Sequence, residues 1–224
     1  MSRLNSDINS YLRQITRFHR LQKLNLTLTQ TSNSVKENFE KTLISIGKSC
    51  SQLTQFKILI KTDCVMHFNK SIFQILGKFR ELQKLEISLF DIKCAKNGSI
   101  ASFKKLKNLR QLELNINDLN DSHLQNIHLF LPNLNKIVIN TKSKISDITM
   151  QCISKMKSLS DIYINTEDYE EDEYPITEAS INAILENHIN TRYRSLWINN
   201  SNGQSINISK GLIERMIIIG ENNS

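Results

Sequence analysis

One phrase recurs three times between Leu109 and Thr166. The copies read Leu109-Arg-Gln-Leu112-Glu-Leu114-Asn-Ile116, Leu134-Asn-Lys-Ile137-Val-Ile139-Asn-Thr141 and Leu159-Ser-Asp-Ile162-Tyr-Ile164-Asn-Thr166. Their first residues are 25 positions apart in both steps. Alternation of apolar and polar side chains over 112–116 predicts a strand with one face buried. A unit of this length cannot bury that face alone, so it must stack on copies of itself. Each strand then lies parallel to the next, and the segment between them carries the chain back. The expected fold is α/β, a curved solenoid with parallel strands on the concave side and helices on the convex side.

The same frame extends in both directions. Units start at 21, 53, 82, 109, 134, 159, 193 and 213, with spacings of 32, 29, 27, 25, 25, 34 and 20. Leu21, Leu24, Leu26 and Leu28 open the first unit; Ile213, Met216 and Ile218 form a degenerate eighth that closes the stack. The predicted return helices carry Val35, Phe39, Leu43 and Ile46, then Phe68, Ile72, Leu76 and Phe79, then Leu124, Ile127 and Leu131, stopped by Pro132. Two further helices are read from Ile148, Cys152 and Met156 after the N-cap pair Ser146-Asp147, and from Ile181 with Leu185. Ser34 and Glu37 have capping-box spacing. Residues 4–18, with Leu4, Ile8, Leu12 and Ile15, predict a helix before the first strand. It is either a cap or the helix of an incomplete unit belonging to a longer product. The resulting division is 1–20 for that helix, 21–220 for about eight repeats, and 221–224 for a disordered tail.

Periods of 25 and above leave room for a full helix per unit. The chain therefore resembles intracellular leucine-rich-repeat proteins of the ribonuclease-inhibitor type. Cys50-Ser-Gln-Leu53, Leu131-Pro-Asn-Leu134 and Ile145-Ser-Asp147 ahead of Ile153-Ser-Lys-Met-Lys-Ser-Leu159 resemble the unit of leucine-rich F-box proteins. That resemblance covers roughly 21–200. It implies the substrate-recognition region of a ubiquitin-ligase receptor, with ubiquitin transfer left to other subunits. Residues 1–20 cannot hold the F-box, so a cullin-ligase adaptor is an expected partner only if an F-box lies upstream. A general leucine-rich-repeat scaffold unrelated to ubiquitin is the alternative.

Composition bears on partners and place. The net charge of +7 is unevenly spread. Residues 1–110 hold 20 Lys/Arg against 7 Asp/Glu, and 111–224 hold 9 against 15. The cluster Lys104, Lys105, Lys107 has no interleaved aromatic residues, so a nucleic-acid partner is disfavoured. No apolar run spans a membrane and the N-terminus lacks a signal-peptide profile. Cys50, Cys64, Cys94 and Cys152 form no CxxC motif. The cytoplasm or nucleus is the expected location. His123 and His128 have no metalloprotease spacing to an acid, and no phosphate loop or nucleophile elbow is present. The chain reads as a non-enzyme with no catalytic residue, metal or cofactor.

The frame also tells which side chains face outward. The middle outward column is Asn25, Lys57, Glu86, Glu113, Val138, Tyr163, Trp197 and Ile217. Its last four members are apolar or aromatic, so Val138, Tyr163, Trp197 and Ile217 are the expected partner-binding strip. The competing reading is that terminal residues cover Trp197 and Ile217. The next column gives Asn115, Asn140, Asn165 and Asn199, expected to form an amide ladder along the strands rather than to contact a ligand. Between units six and seven, residues 167–173 hold six acids in seven positions. Glu170, Glu171, Asp172 and Glu173 predict a surface loop, either simply solvated or facing a basic partner.

Overall fold

A computed structural model describes residues 14–29, 33–61, 72–90, 98–166, 176–187, 195–199 and 205–209. Its centre is one open eight-stranded sheet whose spatial order is the chain order. The strands are β1 (Lys23–Thr29), β2 (Gln55–Lys61), β3 (Lys84–Phe90), β4 (Gln111–Ile116), β5 (Lys136–Thr141), β6 (Asp161–Thr166), β7 (Ser195–Asn199) and β8 (Ser205–Ser209). The first seven are mutually parallel, and β8 runs antiparallel to β7. A parallel neighbour requires a crossover connection, and the six segments between β1 and β7 supply it.

The strand register follows the apolar frame. Leu24, Phe56, Leu85, Leu112, Ile137, Ile162 and Leu196 form one row across the sheet. Leu26, Ile58, Ile87, Leu114, Ile139, Ile164 and Ile198 form the next. All fourteen are buried, each worth about 1.5–3 kcal/mol of apolar transfer. A slip of one residue in any strand would turn its whole row toward solvent, which is why the register is tightly specified. The unequal spacings between units are absorbed by the connections.

A recurrent backbone bond sets the level at which each strand begins. The carbonyl of Gln22 accepts from the N–H groups of both Thr54 and Gln55. Thr54 does the same for Gln83 and Lys84, Gln83 for Arg110 and Gln111, Arg110 for Asn135 and Lys136, and Asn135 for Ser160 and Asp161. Each of these carbonyls thus accepts from two successive N–H groups at the entry to the next strand.

The connections contain α1 (Asn33–Ser49), α2 (Ile72–Leu76), a 3-10 turn (Ile100–Phe103), α3 (Asp121–Leu124), α4 (Ile127–Phe130), α5 (Asp147–Ser154) and α6 (Glu178–Asn187). Their apolar side chains join the strand rows in one core. Phe39, Leu43 and Ile46 of α1 are fully buried, as expected. Aromatic pairs add to this core: Phe56 of β2 meets Phe79, beyond α2 in the same unit, at 5.2 Å between ring centroids, and Phe73 of α2 meets Phe103 of the next unit at 5.3 Å. Gly77 follows α2 where a Cβ would lie 2.1 Å from the carbonyl oxygen of Ser102 in the next turn. Only glycine permits that approach.

Several helix expectations are corrected. The single helix over Leu124–Leu131 is two short ones, broken where Asn126 takes a left-handed conformation with φ 61°. Asparagine tolerates that region better than other non-glycine residues. Leu131 already stands outside α4, so the helix ends before Pro132. In α5, Ile148 is 56% exposed, and the inward face is Thr149, Met150, Cys152 and Ile153. Ser146 does cap α5, accepting from the Ile148 N–H. Ser34, expected to cap the first return helix, instead falls inside α1, which begins at Asn33. Most of the helix expected at 4–18 lies outside the described residues, as do Phe68, the acidic segment 167–173 and the unit at Ile213, Met216 and Ile218. Of the first, Gln14 and Ile15 are helical, and the chain turns away at Arg17.

Candidate interaction face

The sheet face opposite the helices is organised in columns, because every second residue of each strand points to it. Val138, Tyr163 and Trp197 occupy neighbouring positions on β5, β6 and β7, paired in register. All three are half-buried. Beyond Trp197 the paired residue is Asn207 of β8. The expected fourth member of the strip, Ile217, lies outside the described residues, as do Glu170, Glu171, Asp172 and Glu173.

Tyr163 is held in place from several sides. Its hydroxyl is 2.7 Å from Ser195 Oγ, which donates to Asp161 Oδ1 at 3.0 Å. Ser160 Oγ donates to the other oxygen of Asp161 at 2.7 Å. Lys136 Nζ stands 5.3 Å from the Tyr163 ring centroid, within cation–π reach. The ring is therefore fixed before any partner arrives.

The asparagine column forms a ladder in two pieces. Asn115 donates to Ser88 Oγ at 2.9 Å and to Glu113 Oε1 at 3.1 Å, and Asn140 donates to Asn115 Oδ1. Asn199 donates to Asn165 Oδ1 at 3.1 Å. Between β5 and β6 the ladder is interrupted. Farther toward β2, Lys57 forms an ion pair with Glu86. The hydrogen bond to Glu86 raises the Lys57 ammonium pKa, and the Glu86 and Glu113 charges add to that against partial desolvation.

A groove of about 310 Å³ opens at the C-terminal ends of β2–β5. Lys61, Phe90, Asn115, Asn117, Asn140, Thr141 and Lys142 line it. Phe90 is 37% exposed, and both lysines are exposed. Thr141 is buried beneath, donating to the Leu119 carbonyl at 2.8 Å. The outward columns read from the sequence reach Asn115 and Asn140 of this set but stop before Lys61, Phe90, Asn117 and Lys142. These four stand one outward position beyond the second outward column on β2–β5, two residues after Leu59, Ser88, Asn115 and Asn140.

On the helical side, two carboxylates link successive units. Asp121 accepts from the Ser146 N–H at 3.0 Å, Ser146 Oγ at 2.6 Å and Thr149 Oγ1 at 2.6 Å. Asp147 accepts from the Thr177 N–H and Oγ1, both at 2.8 Å. Burial alone would raise the Asp147 pKa, but hydrogen bonds from Ser180 and Thr177 outweigh it and hold the carboxyl below its usual range. Leu129 is 61% exposed on the same side.

The histidines belong to the helix ends. His123 is buried, its Nδ1 accepting from the Asn120 N–H at 3.3 Å in a capping box. Desolvation lowers its pKa, only partly offset by Asp118 and Asn120. Desolvation, with the Lys155 charge, likewise lowers that of His128. Cys50 is buried, which pushes its thiol pKa up. Among the described residues, no group of three or more His, Cys, Asp or Glu could hold a metal ion, and no helix is long and apolar enough to cross a membrane. No protein-family model matches the chain, and no curated protein matches it significantly.

Proposed function

We propose that the chain is a leucine-rich-repeat solenoid acting as a non-catalytic protein-interaction module. The carrying observation is the in-register, solvent-facing side of the parallel sheet. It offers the strip Val138, Tyr163 and Trp197, with the Tyr163 ring held in place, on one flank and a basic, aromatic-edged groove on the other. Preorganised side chains on a rigid sheet lose little entropy on binding, and aromatic anchors concentrate affinity. The partner is a protein rather than a nucleic acid: carboxylates of Glu86 and Glu113 stand among the cations of this face and would repel a phosphate backbone.

The finer reading is substrate recognition for an F-box-type ubiquitin ligase in the cytoplasm or nucleus. It rests on the sequence resemblance around Cys50, Leu131 and Ile145. Affinity capture from the native cell tests it. Co-purification of a cullin-ligase adaptor with the natural full-length product supports the ligase reading. Partners captured without any ligase subunit favour the general scaffold.

A further inference from the structure

We infer that the groove at the C-terminal ends of β2–β5 takes an extended acidic peptide of pattern acid–any–apolar–any–acid, lying across the strands. This rests on the protein-binding reading of the sheet face and names the ligand chemistry of one part of it. Lys61 and Lys142 stand at the two ends of the groove, with Phe90 and Asn117 between them. Neither lysine has an ion-pair partner among the described residues.

Spacing selects the pattern. Lys61 and Phe90 end β2 and β3, and Asn117 and Lys142 directly follow β4 and β5, one strand apart. Three inter-strand steps of about 4.8 Å separate the outer two by about 14 Å. An extended peptide advances about 3.4 Å per residue, so residues i and i+4 are also about 14 Å apart and point to the same side. Residue i+2 shares that side and falls between Phe90 and Asn117, where an aromatic or aliphatic side chain meets the exposed ring. Carboxylates at i and i+4 then reach Lys61 and Lys142. Free amide capacity from Asn117 and Asn140 faces the peptide backbone. A polyanion fits less well, because the groove holds two cations and Glu113 is bonded to the lining Asn115.

The test is amide NMR of the labelled protein titrated with acetyl-Gly-Glu-Ser-Phe-Ser-Glu-Gly-amide. Its two glutamines-for-glutamates analogue and an oligothymidylate dodecamer serve as comparisons. Shifts should centre on Phe90, Asn117, Asn140 and Lys142, and the glutamine analogue should bind at least about tenfold more weakly. The double variant Lys61→Gln/Lys142→Gln, altering only exposed side chains, should lose the same factor without a change in the spectrum elsewhere. No shift at these residues up to millimolar peptide overturns the groove, as does equal binding of the glutamine analogue. Shifts centred on Tyr163 and Trp197 overturn the groove but leave the protein-binding face standing. Binding of the dodecamer here with no response to any peptide overturns both.

Discussion

Asp121 receives both the backbone N–H and the hydroxyl of Ser146, at 3.0 and 2.6 Å. Ser146 in turn caps α5, so one carboxylate fixes where the next helix begins. The arrangement recurs one unit later, where Asp147 receives Thr177 just before α6. A helix of eight residues has little intrinsic stability, and its start must be held by neighbours. Asp121→Ala should therefore cost about 2–3 kcal/mol. Chemical denaturation checks it: a midpoint equal to wild type would show that the link carries no stability.

The depressed Asp147 pKa gives a pH dependence with a definite sign. A carboxyl held below its ordinary value stabilises the fold above that value, near pH 4. The contribution is lost as pH falls through the folded-state value. Asp147→Asn should lose stability at pH 7 and show a shallower decline than wild type below about pH 4. Parallel acid profiles for the two proteins would remove Asp147 from the account.

Glycine is required where α2 ends. Gly77→Ala would drive a Cβ into the Ser102 carbonyl, a rigid backbone atom, and should cost at least about 1–3 kcal/mol. Leu114→Ala, in the fully buried second row, should cost about 2–5 kcal/mol. Glu113→Ala, its outward neighbour, should change stability far less. Thermal melts of the three variants settle the order, and a near-silent Leu114→Ala would contradict the register.

Lys57 and Glu86 act as a unit. Removing Lys57 alone strands a carboxylate that is only 9% exposed, so Lys57→Ala should cost more stability than the double variant Lys57→Ala/Glu86→Ala relative to Glu86→Ala. Additive losses in this cycle would show the pair to be independent.

Much of the sheet was legible because period-2 alternation states which side of a strand is buried, and Leu112, Leu114 and Ile116 obey it without exception. The amide ladder was legible for the same reason, though not its interruption between Asn140 and Asn165. Helix faces were read less well. Four- and eight-residue helices span too few turns for apolar spacing to define a stripe, so the spacing points Ile148 inward although Thr149 and Met150 fill that space. The break at Asn126 depends on one backbone conformation that the apolar pattern does not encode. The sheet's last pairing was also illegible, since the direction of Ser205–Ser209 is set by its packing against β7. The groove arises from where four strands end together, and no single unit carries that information.

The proposed binding of partners to the strand side of the sheet is open to a direct measurement. Quantitative affinity capture from the native cell, followed by mass spectrometry, should compare wild type with three variants. Two alter the strand side, Trp197→Ala and Lys61→Gln/Lys142→Gln. The third, Leu129→Ser/Ile148→Ser, alters exposed apolar residues of the helical side. At least one strand-side variant should deplete the specific partners about tenfold or more, while the helical-side variant retains them. Retention by both strand-side variants with loss from Leu129→Ser/Ile148→Ser would place the interaction on the helices and contradict the account.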